Sequence, residues 1–495
     1  MHPLALLSVR NQFAGSFVVN IISLSHGFAL GWVSPSLEYL QSNGTHLTSG
    51  PITVEQTSWL GSSISLGAVF GVVLYGFIAD RFGKRTALQL TLVPHVVRHP
   101  SLQTLATVTI VPVFKGFWLC IIFARDVMVL CVGRLLSGAA GGGILRIVPL
   151  FIADIADCRI RGMLGSLLPV CLNLGTVLAF VLGTFVHFST FPLVALALPV
   201  FFGFTICLIP ETPPCLLRAL RNERAERSLM FYRGIQGHFA KSDPFRDEFR
   251  QLQDVIERER TAPDAGLTWQ DFATQPARRG LALAMFLVLL NQCCGSLVLI
   301  TYATTIFDLA SPPTPTHSQP VLPASLASIT LATVQLLGTF ISLALIDRIG
   351  RRILLIVSCL GVSLGYLILA AYVQLVLPLG PPSPLGQLLP IVSLSFSILL
   401  ASIGLLSVPY IVMAEVLPAK IRNVGSSICI TIVAFCAFVL LKIFPILLDT
   451  IGLPGTMGGL AMICLIGTPV IAYFLPETQG KSLLPNTTLE GQPTA

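Results

Sequence analysis

Charge is what this sequence has least of. Lys and Arg number 30 and Asp and Glu 23, together 11% of 495 residues, while 54% are hydrophobic and mean hydropathy is +0.82. A soluble chain of this length needs more charge to cover its surface, so most of this one must face lipid. Crossing a hydrocarbon core of about 30 Å takes roughly 20 apolar residues, and twelve such spans would use about half to three-fifths of the chain.

The signs of catalysis are missing too. The sequence carries no Walker lysine, no cluster with metal-ligand spacing and no nucleophile set beside a base, so an enzyme is not expected, nor a metal or other cofactor. Nearly all of the 12 cysteines sit inside apolar runs without framework spacing and read as small core hydrophobes. The net charge of +7 is dispersed in short clusters between apolar runs, where it acts as a topology signal rather than a nucleic-acid footprint. No basic stretch followed by a short apolar run and a small-residue cleavage site opens the chain, so the first apolar segment is expected to be a retained span.

Apolar runs, cut at Pro, Gly and charge clusters, fall near 13–33, 57–79, 86–124, 127–153, 163–187, 191–209, 280–309, 324–346, 352–378, 388–414, 421–448 and 454–475. The connections Asp80–Arg85, Cys158–Gly162, Asp347–Arg352 and Ala419–Arg422 are basic, whereas those near 34–56, 188–192, 310–323 and 379–387 are almost free of Lys and Arg. The positive-inside bias therefore predicts both termini and the basic connections on the cytoplasmic side. It also predicts glycosylation at the sequon Asn43-Gly44-Thr45, outside, and none at Asn486, inside.

Two stretches depart from this rhythm. Residues 211–280 hold 23 of the 53 charged residues and read as a helical cytoplasmic insert, either a solvated tether or a part of the gate. Residues 97–112, with Arg98, His99, Pro100 and Pro112, interrupt the third span. Either 105–124 forms that span with Lys115 inside it, or 86–97 and 113–124 make one broken helix; a third reading is translated non-coding sequence.

The sequence also repeats itself. Asp80-Arg-Phe-Gly-Lys-Arg85 recurs as Asp347-Arg-Ile-Gly-Arg-Arg352 at an offset of 267, Asp154…Arg161 as Glu415…Arg422 at 261, and Pro210-Glu-Thr as Pro476-Glu-Thr at 266. Three pairs at nearly one offset imply two six-span halves of like topology, with a substrate site between them near the midplane. The expected division is 1–210 and 280–476 for the halves, 211–279 for the insert and 477–495 for a cytoplasmic tail. Charge clusters at span ends in both halves suit a gate that substrate-driven rocking must open, although each charge taken alone also fixes topology.

At these residues, with Gly133-Arg134, Pro149, Pro213, Pro409 and Gln479-Gly-Lys481 added, the sequence resembles the sugar-porter branch of the major facilitator superfamily, the glucose-transporter-like carriers. Ile155–Gly162, Leu168-Pro169 with Asn173, Asn291-Gln292…Gly295 and Leu417–Arg422 are most similar to arthropod facilitated trehalose transporters. The resemblance implies an all-α membrane protein of twelve helices that moves a hexose or a trehalose-like disaccharide across the plasma membrane by alternating access. Its partners are then the sugar and the bilayer. By position it places Asn291, Gln292, Gln335 and Tyr410 in the pocket, with Asn173 and Asn20 adding amides from the first half; any one of them alternatively makes only a helix–helix hydrogen bond. It places Asp80, Arg81, Lys84, Arg85, Asp154, Arg161, Glu211, Asp347, Arg351, Arg352, Glu415, Arg422 and Glu477 in the cytoplasmic gate.

Pro169, Leu297, Tyr410 and Val433 stand where the family pattern has Gln, Asn, Trp and Asn, so this pocket is less polar. Arg146 in span four and Lys442 in span eleven are charges at costly depth that call for a partner or a cavity; His26 suits a packed hydrogen bond better than a proton relay. No carboxylate stands clearly at mid-span, so uniport is the expected mode. A non-transporting sugar sensor, a proton-coupled sugar carrier and an organic-anion carrier relying on Arg146 are the alternatives.

Overall fold

The computed structural model describes residues 3–90, 113–157, 160–235, 243–261, 268–311, 322–379, 383, 386–418 and 420–475. Ten helices among them are long and apolar enough to cross a membrane. The last, Val424–Phe474, runs 51 residues, about 77 Å at 1.5 Å per residue, more than twice a bilayer core. It breaks at Gly452, whose φ of 71° leaves the helical region, so it supplies spans eleven and twelve. With the short helix Val113–Phe123 in the place of span three, the arrangement is the twelve-span one. The stretch 97–112 lies outside the described residues, flanked by helix at Lys84–Leu90 and Val113–Phe123.

Span one is Pro3–Gly31, continued by Val33–Leu40; spans two, four, five and six are Val54–Phe82, Val127–Ile155, Leu167–Phe185 and Phe191–Thr205. Span seven is broken into Gln275–Cys293, Ser296–Thr301 and Ala303–Ala310. Spans eight and nine are Ala324–Ile349 and Arg351–Ala371, and span ten is Leu389–Ile403 followed by Val408–Val416. Large apolar side chains stay exposed on the outer faces, among them Phe123, Phe185 and Phe204 at 74, 71 and 70%. Hydrocarbon is the solvent that tolerates such faces.

The two sequence repeats fold alike. Gly83 and Gly350, at the same offset as the clusters they belong to, take φ of 99° and 96° and turn the chain from span two towards three and from eight into nine. Within the first half, span two packs on four and one on five, and the small residues Gly67, Gly71, Gly138 and Gly142 let helices two and four meet backbone to backbone. Between the halves, span two lies on eleven and five on eight.

Four helices occupy the charged insert: Pro213–Arg218, Asn222–Arg233, Asp243–Thr261 and Trp269–Ala273. Leu216, Leu217, Ala225 and Ile256 give the first three a small apolar core, closed by Phe249 and Leu252, while Phe272 of the fourth packs against the cluster of Ala277, Met413 and Leu417. They are tied to the spans by hydrogen bonds from Arg233 to the Ile155 carbonyl (3.2 Å), from Asn11 to the Phe231 carbonyl (2.7 Å) and from Tyr232 to the Pro210 carbonyl (2.7 Å). Lys420, between spans ten and eleven, meets Asp271 at 2.6 Å.

Candidate functional site

Among the described residues, the basic clusters form an equivalent ion pair in each half. Lys84 Nζ meets Asp154 at 2.6 Å, and Arg351 meets Glu415 at 3.3 Å. These residues correspond through the repeat offsets, 84 to 351 and 154 to 415, so each pair joins the turn after span two or eight to the end of span four or ten. All four side chains are largely buried, at 12 to 28% exposure. Removing one partner from a pair this buried costs more than breaking a surface pair, because the other charge is left uncompensated.

Around these pairs the bases serve backbone carbonyls left open at helix ends. Lys84 also donates to the Leu150 carbonyl, Arg85 to those of Ile206 and Cys207, Arg161 to Ala156, Arg351 to Ile346, Arg352 to Ala472 and Arg422 to Leu417. Arg161 and Arg422 thus bond to carbonyls five residues back instead of to the acids seven residues before them. Glu211 accepts the Arg85 and Thr212 backbone N–H groups at 3.0 Å. Burial pushes its carboxyl above the usual range despite these donors, and it bridges the start of the insert to the turn after span two. Asp80 and Arg81 are exposed at the end of span two. The side chain of Asp347 and the whole of Glu477 lie outside the described residues.

The amides divide into two connected sets and one that stands apart. Asn291 donates to the Leu405 carbonyl (2.6 Å), which the break in span ten leaves open, and its own side-chain oxygen accepts from Gln292 (2.9 Å) and Tyr410 (3.4 Å). Asn173 on span five donates to Thr339 on span eight (2.8 Å), and Thr339 donates to the Gln335 carbonyl one turn earlier (3.0 Å). Asn20 is fully buried and donates only to the Ser16 carbonyl of its own helix, 2.8 Å away. Gln292, Gln335 and Tyr410 keep partial exposure, whereas Asn291 and Asn173 are buried at 3 and 8%. Asn291 is therefore placed as a brace and Gln292 as its accessible neighbour.

The halves close at the end opposite the basic clusters. Thr304 on span seven and Ser34 on span one exchange hydrogen bonds, Thr304 N–H to Ser34 Oγ at 3.1 Å and Thr304 Oγ1 to the Ser34 carbonyl at 2.7 Å. Lys442 on span eleven donates to Ser58 on span two at 2.8 Å and sits 3.9 Å from the centroid of Trp59. Hydrogen bonding to a neutral hydroxyl and attraction to a ring face give its partly buried ammonium partners near the start of span two, where Glu55 also stands. That Lys442 needs a partner was legible in the sequence; Ser34, Ser58, Trp59 and Thr304 were not, because nothing local sets them apart.

At the basic end the halves separate. A cleft of 570 Å³ opens between spans two, four and eleven, lined by Val73, Phe77, Asp80 and Arg146 on one side and by Val424, Ser427 and Thr431 on the other. Arg146 is not spare charge in it: it donates to the Val72 carbonyl at 3.3 Å and lies 3.9 Å from Asp80, over Gly76, where no side chain obstructs it. Arg134 is fully buried and gathers the carbonyls of Ala29, Leu60 and Gly61, stapling spans one, two and four. The halves are thus joined at one end, parted between spans two, four and eleven at the other, and linked between them by Asn173 and Thr339.

Comparison with known proteins agrees with this geometry. The model of a family described as "Sugar (and other) transporter" matches residues 16–487. The facilitated trehalose transporters Tret1 of Bombyx mori and Polypedilum vanderplanki are 29 and 28% identical to it over 477 and 475 residues, 96% of this chain and 86 and 87% of theirs. The xylose transporter XylE from E. coli in its inward open conformation superposes with a TM-score of 0.72 at 17% identity, covering 95% of this chain and 98% of that one. Its partially occluded inward open form gives 0.71 over 96% and 100%, also at 17% identity, a likeness of fold. The chain therefore belongs to the sugar (and other) transporter family and is a multi-pass membrane carrier of the major facilitator fold, not an enzyme.

Proposed function

We propose that this carrier moves a sugar, a hexose or a trehalose-like disaccharide, down its gradient across the plasma membrane by alternating access. Its two halves, 1–210 and 280–476, rock against each other, and 211–279 tethers them on the cytoplasmic side. The observation that carries the reading is the asymmetry of the interface. Ser34–Thr304 and Lys442–Ser58 join the halves at one end, and a 570 Å³ cleft parts them at the other. The positive-inside bias makes the open end cytoplasmic. We take the partly exposed amides of Gln292 and Gln335 and the Tyr410 ring as the contacts of the sugar. Amide groups suit a sugar because each offers a donor and an acceptor to hydroxyls that present both, and an aromatic face suits its C–H surface. The relatives named as trehalose transporters support the substrate class.

An organic anion is disfavoured as cargo, since Asp80 stands 3.9 Å from Arg146 and would repel it. The test is uptake of labelled glucose and labelled trehalose by cells expressing the chain, with and without a proton gradient. Saturable uptake of one of them, indifferent to the gradient, is expected. Dependence on the gradient would instead favour symport, and no uptake of either at normal surface level would remove the sugar assignment.

A further inference from the structure

Span seven is interrupted where its helix passes Gly295, whose φ of 77° ends the segment Gln275–Cys293 before Ser296–Thr301 begins. The backbone groups freed by this break are taken up locally. Cys294 Sγ donates to the Asn291 carbonyl at 2.9 Å, and Tyr366 on span nine donates to the Cys294 carbonyl at 2.7 Å. Cys293, next to the accessible Gln292, is not used in this way. Its sulfur lies 3.9 Å from that of Cys436 on span eleven, 143 residues away, and both side chains are partly exposed.

We propose that Cys293 and Cys436 form a dithiol site for thiophilic centres of the trivalent arsenic class, and that filling it ties the break in span seven to span eleven. Two thiols in contact on neighbouring helices present two soft donors to one atom, a geometry that lone cysteines in an apolar core lack. The reaction with an organoarsenic(III) oxide is balanced without redox change. Two S–H bonds and the arsenic–oxygen double bond break, two As–S bonds form, and the two protons leave with the oxygen as water. The bridge anchors the end of Gln275–Cys293, two residues before the bend at Gly295, to span eleven, so it restrains that segment from moving against span eleven.

The chain as a whole, purified in detergent, is treated with one equivalent of phenylarsine oxide and weighed by intact mass spectrometry. A single phenylarsenic adduct is expected, displaced by 2,3-dimercaptopropanol and not by 2-mercaptoethanol. It should be absent from both Cys293→Ser and Cys436→Ser, and it should raise the thermal midpoint of the unsubstituted chain but of neither variant. An adduct that persists in both variants overturns the site, and an adduct without a rise in midpoint overturns the tie. Arrest of uptake by the reagent, relieved in Cys436→Ser, is also expected; this arm rests on the transport reading above. Absence of uptake by the untreated chain would count against that reading and leave the adduct and the midpoint to decide the site.

Discussion

Lys442 stands nine residues before the end of the helix that breaks at Gly452, so its ammonium must find partners inside the fold. It finds them on the other half, and this makes it a lock on the closed end. A hydrogen bond that involves a charged group is worth about 1.5–3 kcal/mol. Replacing Lys442 with Met should therefore shift the balance towards opening at that end by roughly ten- to a hundred-fold. Sugar offered from that side should then show a several-fold better apparent affinity at unchanged surface level; an unchanged value would count against the lock. Gln292→Ala and Gln335→Ala should each weaken apparent sugar affinity by roughly five- to a hundred-fold, since a dry site that loses one partner typically forfeits about 1–3 kcal/mol. Concentration dependence of uptake by each variant checks this, and two unaltered affinities would move the pocket elsewhere.

Glu211 gives a pH test at the same scale. Burial raises its folded pKa above that of the unfolded chain, so its contribution is fully present below the unfolded value, about 4.3, and is lost as pH rises through the folded one. The thermal midpoint of the native chain, compared with that of Glu211→Gln, should fall as pH climbs through this window. Asp271 behaves in the opposite sense: its hydrogen bond with Lys420 holds its carboxyl below the usual range. Its tie is present above the unfolded carboxylate value and is lost only as pH falls through the folded one.

Among elements, the repeated turns after spans two and eight decide how each half is held. A pattern of acid, glycine and three bases, written twice at one offset, folds into the same glycine turn and an equivalent ion pair in each half. Removing one member leaves a largely buried charge without its partner. Arg351→Ala and Lys84→Ala should each slow uptake at normal membrane insertion, and the exchanged pair Arg351→Glu with Glu415→Arg should recover part of it. Full activity of both single variants would reduce these pairs to topology markers. Which base meets which acid was not legible. The spacing Asp154…Arg161 and Glu415…Arg422 invites pairing within each short connection, yet Arg161 and Arg422 turn back to the carbonyls of Ala156 and Leu417, because a helix end offers acceptors closer than the acid.

At the level of the whole molecule, Asn43 reports sidedness. It is exposed in the loop after span one, at the end opposite the basic clusters. A glycosidase-sensitive mass shift lost in Asn43→Gln is expected; a shift lost only in Asn486→Gln would invert the topology.

The sequence by itself determined that the chain spans a membrane about twelve times, that its two halves repeat, and where the basic ends lie. Those follow from local hydropathy, from charge scarcity and from internal repetition, each carried by neighbouring residues. It also marked the amide positions, Asn291 and Gln292 among them. Only the tertiary structure decided that Asn291 braces the break in span ten while Gln292 stays accessible, that Lys442 reaches Ser58 and Trp59, and that the cleft opens at the basic end. Such contacts join residues hundreds of positions apart across the interface between halves. Serine, threonine and tryptophan at those places carry no local mark, because their meaning comes from what the opposite half sets against them.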